Sequence, residues 1–236
     1  MKTIFHKASE RGHADHGWLN AHHSFSFASY HDPSKVHFGL LRVLNDDIVA
    51  PGMGFGMHPH DNMEIVTIPL KGTLEHKDSM GNVGVIKPNE IQAMSAGAGL
   101  MHSEYNHSKT EAINLLQIWV FPKEKNVKPR YDQRVFTEEE KNGKFKTIVA
   151  PVKADDVMWI NQDAYFSLGK FKAGSSVDYK IEHKGNGAYI FVIEGSAKIE
   201  GQQLEKRDAI GIWETDKFSI TVTADTEILV IDVPMN

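Results

Sequence analysis

Apolar β-forming residues come along this chain in short runs, each cut off by turn residues, and that rhythm leaves room for little but a sheet protein. Runs rich in Val, Ile, Phe and Tyr occupy residues 37–44, 64–70, 113–121, 188–194 and 227–233. Turn clusters lie between them, DSMGN at 78–82, KGNG at 184–187 and EGQ at 200–202. One stretch reads as helix, residues 136–142 (FTEEEKN), where Thr137 stands as an N-cap ahead of three glutamates. Short strands with regular turn signals predict an all-β barrel or sandwich. The chain has 236 residues, enough for one large domain or two small ones at about 100–200 residues each.

A weak internal repeat favours two. Residues 65–75 read IVTIPLKGTLE and residues 189–199 read YIFVIEGSAKI. Placing Gly72 on Gly195 superimposes a strand, a glycine turn and a second strand. Downstream, with the second copy five residues shorter, residues 87–91 (KPNEI) line up with 205–209 (EKRDA). Pro, Lys and Glu cluster at 123–144, where apolar periodicity fades, so the expected units are residues 1–130 and 131–236.

Composition removes several function classes. There is no cysteine, hence no disulfide, thiolate metal site, iron–sulfur cluster or cysteine nucleophile. With 26 basic and 31 acidic residues the net charge is −5, which excludes nucleic-acid binding by bulk positive charge. No apolar run reaches the ~18 residues of a membrane span, and the N-terminal sequence has no signal-like apolar core, so a soluble, cytoplasmic protein is expected. Histidine is the outlier: of 13, only His183 lies beyond residue 107.

Two histidine motifs carry chemistry. In His58-Pro59-His60, residues i and i+2 of an extended segment point the same way, so two imidazoles converge. Pro59 cannot donate to a ladder and calls for an edge or interrupted strand. His102-Ser103-Glu104 repeats the period-2 spacing after the flexible Gly97-Ala98-Gly99. Together the pairs offer three imidazoles and a carboxylate, a donor set suited to Fe, Mn, Co, Ni, Cu or Zn with positions left open for chemistry. The other histidines read as less informative. Of His22 and His23, adjacent on a strand, at most one faces a given pocket, and a structural hydrogen bond is the preferred role. His6, His13, His16, His31, His76 and His107 read as exposed or loop residues, and His37 as the opening of a strand with no assigned role. Met57, Met63 and Met101 read as barrel packing, and Phe55, Met57 and Ile65 as apolar residues that could line a pocket.

These motifs resemble a known pattern. Gly52, His58, His60 and Glu64 resemble the first cupin motif, and Gly99, His102 and Asn106 the end of the second, with Gly72 one residue late. The segments ADHGWLNAHHSFSFASY (14–30), HPHDNMEIVTIPLKGTLEHKDSMGN and MSAGAGLMHSEYN resemble the pirin family, in particular its bacterial quercetinase-like members. The resemblance is dense over residues 13–135 and looser beyond. It implies an all-β bicupin of two antiparallel β-barrel, jelly-roll domains facing each other, with metal in the N-terminal one only. It implies His58, His60, His102 and Glu104 as ligands of one divalent metal ion, Fe(II) by family precedent. Glu64, a ligand in many other cupins, is placed in the pocket or just behind the ligands. In the repeat alignment His58, His60 and Glu64 fall on Ile181, His183 and Gly187, so the second unit keeps a single candidate ligand.

The implied activity is a metal-dependent dioxygenase that opens the central ring of a flavonol such as quercetin, using O2 and releasing CO. Glu104 doubles as ligand and as the base for a substrate hydroxyl. The competing implication is a metal-containing regulator, a transcription cofactor or modulator of an enzyme, acting through a protein partner without turnover. A third reading has the metal only stapling the barrel. A monomer is expected, since the two barrels already cover each other.

Overall fold

The computed structural model describes residues 1–236. Its strands, in chain order, are β1 (Lys2–His6), β2 (Gly12–Asp15), β3 (Leu19–His23), β4 (Leu41–Val49), β5 (Gly54–His60), β6 (Glu64–Lys71), β7 (Leu74–Asp78), β8 (Val83–Ile86), β9 (Glu90–Ser95), β10 (Leu100–Asn106), β11 (Ile113–Val120), β12 (Arg130–Val135), β13 (Phe145–Ala150), β14 (Met158–Trp159), β15 (Tyr165–Phe171), β16 (Ser176–Lys180), β17 (Asn186–Glu194), β18 (Ala197–Ile199), β19 (Gln202–Leu204), β20 (Ala209–Trp213), β21 (Lys217–Val222) and β22 (Thr226–Pro234). The one α-helix, Glu138–Lys141, begins where expected, with Thr137 and Glu140 forming a reciprocal capping box. The run expected at 37–44 starts four residues later, because Gly39 at φ +51° turns the chain first. No helix is long and apolar enough to cross a membrane.

The strands form two sandwiches of the same design. The first pairs a seven-stranded sheet, β12-β9-β6-β11-β4-β3-β2, with a four-stranded sheet, β5-β10-β7-β8. The second pairs β1-β20-β17-β22-β15-β13-β14 with β16-β21-β18-β19. The sequence repeat maps onto this symmetry. Gly72 and Gly195 both sit at φ +80° in equivalent turns, and a Cβ on Gly195 would lie 2.0 Å from the Asp225 carbonyl oxygen. Asn89 and Arg207, aligned in the repeat, both adopt the left-handed region, at φ 70° and 69°. Each is held by the same local bonds: Glu90 Oε2 accepts from Lys87 N at 2.9 Å, and Asp208 Oδ2 from Glu205 N at 3.0 Å.

The two units exchange their outermost strands. β1 pairs with β20 of the second sheet, and β12, at 130–135, holds the corresponding place beside β9 in the first. The expected division at residue 130 therefore falls at the start of a strand that is still part of the first sheet.

Strand alternation sends one face of each large sheet outward against the other and the opposite face into its own sandwich. On β4, β6 and β11 the residues Leu44, Val66, Ile68, Leu116 and Ile118 join Phe166, Tyr189, Phe191, Leu229 and Ile231 of the second sheet in a shared core of 26 buried side chains. Charges are also enclosed there. Asp46 lies 3.4 Å from Arg11 and 3.2 Å from Arg207, and accepts from Asn114 Nδ2 at 2.8 Å. The interior of the second sandwich is filled by 16 apolar side chains, among them Ile190, Ile210, Val230 and Ile181. The interior of the first contains a cavity.

Candidate metal centre

β5 lies at the edge of the small sheet, as Pro59 requires, and pairs antiparallel with β10 so that His58 stands opposite His102. Between His102 and Glu104 the register slips, with Glu104 opposite Phe55, so β5 carries one extra residue near Gly56 and Met57. A bulge of this kind re-aims the side chains beside it. The result is a tight imidazole cluster: ring centroids are 4.4 Å apart for His58 and His102, 4.9 Å for His58 and His60, and 4.8 Å for His60 and His102. One ligand atom from each lies within 4.8 Å of the others. Glu104 belongs to an adjoining triad with His102 and His76, within the same 4.8 Å.

The donor atoms are prepared for a cation. His58 Nδ1 donates to the Gly56 carbonyl at 2.7 Å, which leaves Nε2 with its lone pair free. Both nitrogens of His102 and Oε1 of Glu104 are buried without a hydrogen-bond partner. Orphan atoms of this sort are rare and expensive inside a protein, and a divalent cation would satisfy one nitrogen of His102 together with Glu104 Oε1. Burial, then the neighbouring imidazoles, lowers His60 to about 4 and His102 to about 2, so both are neutral and ready to ligate at pH 7. Burial pushes Glu104 up to about 7 against the opposing hydrogen bond from Gln117 Nε2, 2.9 Å from Glu104 Oε2.

Several side chains around the centre were not legible as functional. His76 is fully buried on β7, directly across from Glu104, rather than in an exposed loop. Its ring stacks on Tyr131 at 4.9 Å, and its Nε2 lies 3.4 Å from Asp78, itself fastened by Asn82 and the Met80 amide. The available signal was period 2 alone, which puts His76 on the same side of the strand as the apolar Leu74. His6 is likewise buried, 2.9 Å from the Tyr189 hydroxyl between the units. Of the adjacent pair, His23 faces inward and bonds Asn45 Oδ1 at 2.9 Å, while His22 stacks on His13 on the other face. His37 is exposed before β4, its Nδ1 donating to the Gly39 carbonyl, and opens no strand.

Glu64 does not reach the pocket. It sits on the same side of β6 as Val66 and Ile68, facing the second unit, where its Oε2 accepts from Ser95 Oγ at 2.8 Å and the Asn161 amide at 3.1 Å. Met57 and Met101 are exposed, at 53% and 43%, because they alternate with the inward histidines; neither packs the barrel. Phe55 does line the cavity, but Met57 and Ile65 do not.

That cavity, about 450 Å³, lies between the two sheets of the first unit, with His58, His60 and Glu104 on one wall. Trp18, Phe27, Phe55 and Trp119 give it flat apolar surfaces, and Trp119 stands edge-on to His60 at 5.0 Å. Beneath it a polar row crosses the large sheet at one register, Gln133–Gln92–Thr67–Gln117–Asn45–His23. Thr67 Oγ1 lies 3.1 Å from both Gln92 Oε1 and Gln117 Oε1, so the row braces the residue that holds Glu104.

Fold and site together define a bicupin whose N-terminal unit carries a histidine- and glutamate-rich centre able to hold a metal ion. Comparison with known proteins gives its family. The Pirin family model matches residues 4–120, and the model for the quercetinase C-terminal cupin domain matches residues 147–233. The chain is 43% identical over 229 residues to the quercetin 2,3-dioxygenase of Escherichia coli K12, covering 97% of each. It is 39% identical over 222 residues to a pirin-like protein of Caulobacter vibrioides, covering 94% of this chain and 95% of that one. The solved structure of E. coli YhhW matches with a TM-score of 0.94 at 40% identity, over 99% of this chain and 98% of that one. A structure of the bacterial pirin YhhW in complex with nickel(II) matches with a TM-score of 0.93, also at 40% identity, over 99% of both. The chain belongs to the pirin family.

Proposed function

We propose that this protein is a metal-dependent dioxygenase that opens the central ring of a flavonol-like substrate, of which quercetin is the test compound. The reading is carried by one observation: His58, His60 and His102 cluster, Glu104 adjoins them through His102, and His58, His60 and Glu104 line an aromatic-walled cavity large enough for a flat ring system. Relatives named quercetin 2,3-dioxygenase, and a relative crystallised with nickel(II), support it. His58, His60, His102 and Glu104 are the proposed ligands, with Fe(II) the metal favoured by family precedent.

A divalent cation held there by His58, His60, His102 and Glu104 would supply Lewis acidity toward a substrate hydroxylate. The remaining work belongs to the chain. Trp18, Phe27, Phe55 and Trp119 strip water from the flat substrate and fix its plane, which lowers the entropic part of the barrier. Glu104, held ionised when a cation is bound, takes the hydroxyl proton on Oε1, the oxygen with no protein partner. Gln117 holds the other oxygen and keeps the carboxyl aimed at the cluster. The products account for all atoms: both oxygens of O2 enter the opened ester, and one ring carbon leaves as CO.

The test is stoichiometric. Protein loaded with Fe(II), or with Ni(II), Mn(II), Co(II), Cu(II) or Zn(II) in turn, is expected to consume quercetin and O2 together and release CO. Absence of coupled consumption with every one of these ions overturns the proposal.

A further inference from the structure

One carboxyl in the cavity has no role in holding the metal. Asp47 projects from β4 on the wall made by the large sheet, whereas His58 and His60 project from β5 on the wall made by the small one. Its cross-strand neighbours are Ala21 and Leu115, and Leu19 and Phe55 line the cavity with it. It is only 5% exposed, yet its Oδ1 meets no hydrogen-bond donor. Asn45, two residues away on the same face of the strand, bonds instead to His23, its Oδ1 accepting from Nδ1 at 2.9 Å, and gives Asp47 no hydrogen bond. A carboxyl left unpaired among apolar neighbours destabilises the fold, whereas leucine there would pack. The missing partner is best supplied by whatever enters the cavity.

We propose that Asp47 is a specificity-determining residue, which hydrogen-bonds a hydroxyl on the edge of the substrate opposite to the edge that meets the metal. The substrate class is thereby narrowed to flat aromatics oxygenated on both edges. This inference rests on the flavonol reading of the same site.

The experiment compares two probes by quenching of tryptophan fluorescence in Ni(II)-loaded protein without O2. Quercetin carries hydroxyls on both edges; 3-hydroxyflavone keeps only the metal-binding edge. Wild type is expected to bind quercetin more tightly. Asp47→Leu should weaken quercetin about tenfold or more, the loss of one buried hydrogen bond, while changing 3-hydroxyflavone by no more than about twofold. Asp47→Asn, whose amide oxygen still accepts, should recover most of the difference and shows that the cavity itself survives. Equal weakening of both probes, or none, in Asp47→Leu overturns the assignment of Asp47 alone. Wild type that binds neither probe overturns the flavonol reading, and this inference with it.

Discussion

Glu104→Gln tests whether the centre is built as described, through protons rather than turnover. In the metal-free protein the Glu104 carboxyl is buried, receives one side-chain hydrogen bond from Gln117 and is pushed up to about 7. A bound cation holds it ionised, so below pH 7 each metal ion taken up expels a proton from Glu104. Affinity must therefore rise with pH up to about 7 and level off above, as far as this group is concerned. Between about pH 5.5 and pH 7 the effect is about 16-fold in dissociation constant, or ~1.6 kcal/mol. His60 and His102, lowered to about 4 and about 2, are neutral across that window and contribute no proton. Glutamine keeps the shape and has nothing to lose, so its pH slope should be shallower by one proton per metal. Calorimetric titration with Ni(II), in buffers of different ionisation enthalpy, counts that proton directly. Equal proton release by wild type and Glu104→Gln would refute both the ligand assignment and the buried, protonated state on which it rests.

Three further outcomes follow from the same structure. Gln117→Leu removes the donor on Glu104 and should weaken Ni(II) binding about 10–100-fold, with the unfolding midpoint of the metal-free protein moving much less. Asp46→Ala strands Arg11 and Arg207 between the units and should cost about 3–5 kcal/mol in urea unfolding; a loss under about 1 kcal/mol would show that the cluster is hydrated. Asp47 is raised to about 8 by burial, Asp46 and Glu104, so its unfavourable contribution is absent below about pH 4 and grows until about pH 8. Asp47→Asn should thus gain thermal stability over wild type as pH rises through that window, and a constant difference would place the native carboxyl near its ordinary value.

What could be read from the sequence was whatever a single strand encodes. His58 and His60, and His102 and Glu104, were legible as pairs because period-2 spacing alone puts both members on one side. The repeat was legible because a strand, a glycine turn and a second strand recur about Gly72 and Gly195, with a polar turn downstream in each, where Asn89 and Arg207 both turn out left-handed. Which side faces inward is decided by partners elsewhere in the chain, and there the reading failed. Glu64 lies four residues after His60, but on β6 it shares the face of Val66 and turns to Asn161 of the other unit. His76 belongs to the interior only because β7 pairs with β10 at the register that sets it against Glu104. The row from Gln133 to His23 draws one residue from each of six strands, and no local window contains it.

That row also explains why one sandwich is open and its twin is solid. The equivalent register in the second unit reads Phe5–Ile210–Ile190–Val230–Ser167–Thr147, with β1 standing where β12 stands in the first. Where the first unit has Gln133, Gln92, Thr67 and Gln117, the second has one aromatic and three aliphatic side chains, which close its interior. A polar row leaves buried groups such as Gln92 Nε2 without partners, and each such group weakens the fold that holds it. The first unit is therefore poorly suited to stand alone. Its large sheet is completed by β12, at the far end of the inter-unit connection, and its back is covered by the shared 26-residue core. The second unit, with its own apolar filling, supplies rigidity to a partner whose interior is given over to a cavity, orphan polar atoms and a metal-competent cluster. The absence of a ligand at Ile181 goes with the gain of packing: Ile181 sits in the second unit's core, in the place that His58 occupies in the repeat.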